Sequence, residues 1–160
     1  NEIEPEFTYF YNTVFPLLKT STTTNSKARK CIQILKQKNY KLILATNPLF
    51  PAMATKQRIE WADLNPDDFF MITTYENSSI CKPNPAYFKE ILTKLDLKEN
   101  ECFHVGNDAY EDGCIESLNI PCYLVTDNLI NKQNLDLNTF HWHGTFEEFI
   151  QVCEALPNLK

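Results

Sequence analysis

The residues most suited to chemistry form an acidic cluster just after Gly106. Residues 102–105 are mostly apolar and predict a strand, and Asp108, Glu111 and Asp112 then follow within six residues of Gly106. Like charges this close repel one another, and a hard divalent cation such as Mg²⁺, bound by oxygen ligands, would relieve the repulsion. The alternative is an acidic helix start whose carboxylates complement the helix dipole. The cluster by itself supports both interpretations equally.

Apolar patterns of strand and helix length alternate along the chain and predict an α/β fold with a parallel sheet. The predicted strands are residues 41–46, 69–74, 102–105 and 121–126, and the predicted helices are residues 7–18, 26–38, 51–63, 86–95, 111–118 and 145–156. Thr46 and Thr74 end the first two strands, and Lys82 and residues 106–108 lie in the loops after the second and third. Because ligands bind beyond the carboxyl ends of such strands, we expect these four features to converge on one rim.

The composition limits the choice of partners. The formal net charge is -6, which disfavours nucleic acid and anionic membranes as main partners. No apolar stretch approaches the length of a membrane span. The six cysteines form no CxxC pair and show no zinc-ligand spacing, so the sequence favours free thiols in a reducing cytoplasm.

Two further polar features have ordinary structural explanations. The segment His141-Trp142-His143, taken with Cys153, matches no standard zinc pattern, and we expect a loop there. Ser26 is a plausible N-cap for the helix that follows it.

Three segments, in this order, resemble motifs of the haloacid dehalogenase-like (HAD) hydrolase superfamily. Residues 42–47 resemble its second motif, an apolar strand that ends in Ser or Thr. Residues 82–85, followed by Phe88, resemble the third motif, which is built around a lysine. Residues 105–108 with Asp112 resemble the fourth, an acidic metal-binding loop. Each segment alone is weak evidence, and the resemblance depends on their order and their shared rim.

The resemblance implies a Rossmann-like three-layer α/β sandwich with a mostly parallel sheet. It also implies a phosphatase-type hydrolase that uses Mg²⁺ and acts on a small phosphorylated substrate. The residues that the resemblance assigns are Thr46 and Lys82 for catalysis, Thr46, Asn47 and Lys82 for phosphate binding, and Asn107, Asp108 and Asp112 for the metal. Such a site suits phosphoryl transfer, which needs positioning and charge stabilisation above all.

Two features depart from the family pattern. Asn107 stands where the family most often has Asp directly after Gly, so either Asn107 or Asp108 can be the main metal ligand. The family's first motif supplies the nucleophile from an Asp-x-Asp pair at a strand end, and no Asp-x-Asp occurs in this sequence. The missing strand would lie at the centre of the sheet, between the strands at residues 42–46 and 103–105.

We therefore expect the C-terminal part of a hydrolase that needs a missing N-terminal segment for activity. The sequence opens on Asn1 rather than Met. Residues 1–25 would be the remnant of a helical cap and its connector, and residues 26–160 a HAD-like core without its first strand. The main alternative is a non-catalytic HAD-like module that binds a metal or another ligand. A receiver-type signalling domain fits less well, because its acidic pair would precede the lysine.

Overall fold

The computed structural model describes residues 4–160 and has an α/β architecture with parallel strand pairing. The α-helices are α1 (Glu4–Tyr9), α2 (Ser26–Gln37), α3 (Ala52–Trp61), α4 (Ala86–Leu95) and α5 (Phe146–Ala155). The strands are β1 (Ile43–Leu44), β2 (Met71–Ile72), β3 (His104–Gly106), β4 (Cys122–Val125) and β5 (Trp142–Gly144). Alternating helices and parallel strands confirm the predicted fold class.

The strands form two parallel sheets. In the first, β1 pairs with β2, and Ile43 lies opposite Met71. In the second, the order is β3-β4-β5, so β4 lies in the middle. Among residues 4–160, β1 pairs with no strand other than β2, and β3 pairs with no strand other than β4. Strand β1 is therefore an edge strand of the first sheet, and β3 is an edge strand of the second.

The chain divides into two compact units. The first contains the residues up to Asn77 together with Pro157–Lys160, and the second contains Ser78–Leu156. Helices α1–α3 and strands β1 and β2 belong to the first unit, and the remaining helices and strands belong to the second.

Aromatic packing organises the first unit. The buried ring of Phe15 lies 5.1 Å from the Trp61 ring and 5.8 Å from the Phe50 ring, centroid to centroid. Helix α2 buries Cys31 and Leu35, which are four residues apart and therefore share one helix face.

The core of the second unit surrounds β4. All four β4 residues are buried, as their continuous apolar character predicts for a strand covered on both faces. The buried residues of α4 are Tyr87, Phe88, Ile91 and Leu92, and those of α5 are Phe149, Ile150 and Cys153. The segment Thr145-Phe146-Glu147-Glu148 has the spacing of a capping box, which predicts a helix start there. The structure confirms the box, with Thr145 and Glu148 each bonded to the other's backbone N–H.

The first predicted helix differs from the observed structure. After α1, the chain continues as a π-helix at Phe10–Val14 and then as a 3-10 helix at Phe15–Ser21. Pro16 has no N–H to donate, so an unbroken α-helical ladder cannot pass through it. The N-cap of α2 is Asn25 rather than the predicted Ser26, because the Asn25 side chain accepts the N–H groups at the helix start.

Four further elements differ from the prediction. The first two strands have two residues each instead of six. The predicted helix at 111–118 is a 3-10 helix limited to Gly113–Leu118. Trp142–Gly144, predicted as a loop, forms β5, because its backbone pairs with the central strand β4.

No helix among residues 4–160 is both long enough and apolar enough to cross a membrane.

Candidate active site

Lys82 lies in the loop between β2 and α4 and bonds to a buried carboxylate. Its Nζ donates to Asp112 Oδ1 at 2.6 Å, and the two side chains are 9% and 7% exposed. The loop before Lys82 is held by Glu90 on α4, whose carboxylate accepts the Ser79 N–H. The structure thus brings together two of the predicted site residues that are thirty positions apart in the chain.

The second oxygen of Asp112 shapes the loop that follows β3. Asp112 Oδ2 accepts the N–H groups of Asn107 at 2.9 Å and Asp108 at 3.0 Å. This approach requires glycine at position 106, because a Cβ there would overlap the carboxylate and lie 2.5 Å from the Asp112 Cβ. Asp112 therefore joins Lys82 to the backbone of the predicted metal-binding loop.

His104 on β3 is a fourth partner of Asp112, and the sequence interpretation gave it no role in catalysis or binding. Its Nε2 lies 3.2 Å from Asp112 Oδ1, and its ring meets the Phe88 ring edge-on at 5.0 Å. Burial raises the pKa of the Asp112 carboxyl group, but hydrogen bonds and charges from His104 and Lys82 outweigh burial and hold that pKa well below its usual range. Asp112 is accordingly ionised at neutral pH.

The other two predicted metal ligands lie in the same loop. Asp108 Oδ1 accepts the N–H groups of Tyr110 and Glu111, which closes the turn after the loop. Asn107 donates through Nδ2 to the Asn128 carbonyl at 2.7 Å. Both residues are half-buried, in contrast to the buried Asp112.

The side-chain oxygens of Asn107, Asp108 and Asp112 are ligands of the type that Mg²⁺ prefers, but only some of them are available to bind the ion. A carboxylate has about four acceptor positions, and Asp112 uses them for Lys82, His104 and two backbone N–H groups. Asp108 Oδ2 accepts no hydrogen bond from residues 4–160, so this carboxylate oxygen is available to the ion. No group of three or more His, Cys, Asp or Glu residues in that part of the chain could hold a metal.

In the first unit, Thr46 and Asn47 lie just after β1, which ends at Leu44 rather than at Thr46 as predicted. The Thr46 N–H donates to the side chain of Thr73, a fully buried residue that the sequence interpretation assigned no role. Leu49 donates its N–H to the Asn47 carbonyl at 2.8 Å, which turns the chain sharply after the strand. Thr46 and Lys82 belong to different units, and their convergence stays a prediction.

Comparison with known proteins identifies the family. The profile of the haloacid dehalogenase-like hydrolase family matches residues 4–112, which is most of the chain. The chain therefore belongs to that hydrolase family, as the motifs predicted. No curated protein matches the sequence.

Solved structures share the fold at low sequence identity. A predicted phosphatase from Clostridium acetobutylicum has a TM-score of 0.63 and 19% identity, with 79% of this chain and 57% of that chain covered. A putative beta-phosphoglucomutase from Thermotoga maritima has a TM-score of 0.65 and 21% identity, with 82% and 61% covered. An uncharacterized protein from Listeria monocytogenes serotype 4b has a TM-score of 0.60 and 15% identity, with 82% of both chains covered. This chain thus spans less than two thirds of the first two proteins.

Proposed function

We propose that this chain is part of a Mg²⁺-dependent phosphatase that acts on a small phosphorylated molecule. The observation that carries the proposal is the buried Lys82–Asp112 pair, whose carboxylate also holds the backbone of the Asn107–Asp108 loop. A lysine fixed in this way supplies a point charge of defined position, which phosphoryl transfer requires. Membership of a hydrolase family supports the same conclusion.

The proposed roles follow from donor chemistry. Lys82 would stabilise the charge that develops on the phosphoryl group, and its bond to Asp112 limits where its ammonium group can lie. Thr46 would donate its hydroxyl, and Asn47 would complete the phosphate site at the end of β1. These three residues would bind the phosphate of any substrate, so they do not select the rest of the molecule.

Asn107 and Asp108 would hold Mg²⁺, assisted by Asp112. Asp112 assists by fixing the loop backbone, because its own oxygens already accept hydrogen bonds. When bound, the ion would neutralise charge on the phosphate oxygens. Water molecules and the phosphate oxygens of the substrate would complete the octahedral shell, together with any ligand that an additional segment supplies.

The nucleophile would come from an additional segment. The sequence has no Asp-x-Asp, and such a carboxylate is needed to form a phospho-enzyme. Among residues 4–160, β1 and β3 each pair with a single strand, which supports this proposal because edge strands expose N–H and C=O groups that a further strand can pair with. Residues 1–25 would then belong to a cap and residues 26–160 to the core, in a cytoplasmic enzyme.

A turnover assay tests the proposed function. The 160-residue chain and the complemented protein, meaning this chain together with its upstream segment in one chain or as a separate fragment, are compared on p-nitrophenyl phosphate with Mg²⁺. We expect turnover only in the complemented protein. Equal activity in both would show that the nucleophile is wrongly assigned. Inactivity in both across a broad phosphate panel would favour the non-catalytic module that binds a metal or another ligand.

Mg²⁺ binding tests the proposed loop separately from turnover. Replacing Asp108 by alanine removes the available carboxylate oxygen and should weaken Mg²⁺ binding by about tenfold or more, as measured by isothermal titration. Asp67→Ala is the matched control, because it removes an exposed carboxylate from the other unit. Equal affinities in the Asp108 variant and the parent protein would show that the cluster is only the start of a turn.

A further inference from the structure

Thr73 has an unusual place at the end of the first sheet. The main-chain ladder between β1 and β2 ends at the Leu44–Ile72 pair, after which the Thr73 N–H donates to the Leu44 carbonyl at 3.1 Å. Beyond that point the Thr73 hydroxyl replaces the main chain. It accepts the Thr46 N–H at 2.9 Å and donates to the Thr46 carbonyl at 2.6 Å.

One side chain therefore binds both backbone polar groups of Thr46. The Leu44 carbonyl lies 3.2 Å from the same hydroxyl, but a hydroxyl has one hydrogen to donate, and the Thr46 carbonyl is nearer. Thr73 is fully buried, so solvent does not compete for these hydrogen bonds. The backbone of Thr46 is thereby fixed at the point where the strand ends.

This arrangement limits how Thr46 can meet a phosphate. The Thr46 N–H points to Thr73, so the contribution of Thr46 to an anion site would come from its side-chain hydroxyl. The direction of that hydroxyl depends on the backbone that Thr73 holds. A displacement of about 1 Å in a positioned group can cost on the order of 10²-fold in rate.

We propose that Thr73 is a positioning residue that aligns Thr46 for phosphate binding. The proposal rests on the proposed phosphatase function and adds a residue that touches no substrate. If Thr73 had a purely structural role, its replacement would affect folding, and the size of that effect would not depend on whether Thr46 carries its hydroxyl. The two roles are therefore separable by a double-mutant cycle.

The cycle uses Thr46→Val, Thr73→Val and the double variant in the complemented protein, with kcat and KM measured for p-nitrophenyl phosphate per folded molecule. Valine keeps the shape of threonine but removes the hydroxyl. We expect Thr73→Val to lower kcat/KM by about tenfold and to add little once Thr46 is already valine. Thr73→Ser keeps the hydroxyl and should restore most of the activity.

Thr55→Val is the matched control, because Thr55 is a second buried threonine in the same unit. Two results would overturn the positioning role: equal kcat/KM values for Thr73→Val and Thr55→Val, or full additivity of the Thr46 and Thr73 effects in the cycle. Neither result would contradict the phosphatase function. Absence of turnover in the unmutated complemented protein would overturn the phosphatase function and this proposal with it.

Hydrogen exchange provides a readout that needs no turnover. In the 160-residue chain, the Thr46 amide should exchange faster in Thr73→Val than in Thr73→Ser or Thr55→Val. If Thr73→Val fails to fold, Thr73→Cys serves in its place, since a thiol is a weak donor and acceptor. Unchanged Thr46 exchange in the folded variant would overturn the proposal.

Discussion

Replacing Lys82 by methionine should lower kcat of the complemented protein by about 10²–10³-fold, because it removes a fixed positive charge from the proposed phosphate site. The same change leaves the Asp112 carboxylate buried without its closest partner, the Nζ at 2.6 Å. Removing one partner of a buried pair costs roughly 3 kcal/mol, so the free energy of unfolding should fall as well. Turnover of p-nitrophenyl phosphate per folded molecule and urea unfolding separate the two effects.

Lys94→Met is the matched control for this change. Lys94 also pairs with a carboxylate, Glu90 Oε1 at 2.7 Å, and it lies in the same unit, but its side chain is 39% exposed. Exposed pairs contribute about 0–1 kcal/mol, so neither the stability nor kcat should change much. Similar kcat values in the Lys82 and Lys94 variants would contradict the role of Lys82 in catalysis.

Replacing Gly106 by alanine should damage both the stability and the loop after β3. The added Cβ would overlap the Asp112 carboxylate, which would have to move away from its partners. We expect the free energy of unfolding to fall by about 2–3 kcal/mol, measured as a lower urea midpoint at an unchanged m-value. The Asn107 and Asp108 amides, now bonded to Asp112 Oδ2, should exchange faster with solvent.

Gly144→Ala separates this local effect from general destabilisation. A Cβ at Gly144 would lie 2.5 Å from the Tyr123 hydroxyl oxygen, so this variant should also lose stability. Its Asn107 and Asp108 amides should exchange as they do in the parent protein, because its clash does not involve Asp112. Unchanged exchange of those two amides in Gly106→Ala would show that Asp112 does not hold the loop.

Local patterns were sufficient for much of this fold. Helix α4 begins and ends where its apolar spacing predicted, and β4 lies within the strand predicted at residues 121–126. The capping box at Thr145 also predicted the start of α5 correctly. These features depend on side chains within one or two turns of each other, which is why they can be read from neighbouring residues.

The order of motifs along the chain identified the family but not the geometry of the site. The resemblance assigned Asp112 to the metal site. In the structure its carboxylate bonds to Lys82 and His104, and these contacts exist only once β3 and the Lys82 loop have packed together. Whether Asp112 ever contacts a metal stays a prediction.

Packing also decided the features that no pattern revealed. Strand β5 forms because β4 offers it an edge, although Trp142–Gly144 has no strand-like apolar pattern. Beyond the short main-chain pairing of the first two strands, the Thr73 hydroxyl bonds to both backbone polar groups of Thr46, twenty-seven residues away. The residue types and their order along the chain could thus be used to predict the family and most of the elements. The pairing of distant hydrogen-bonding groups could not be predicted in this way, because burial must first bring such groups together and exclude the water that would otherwise bind them.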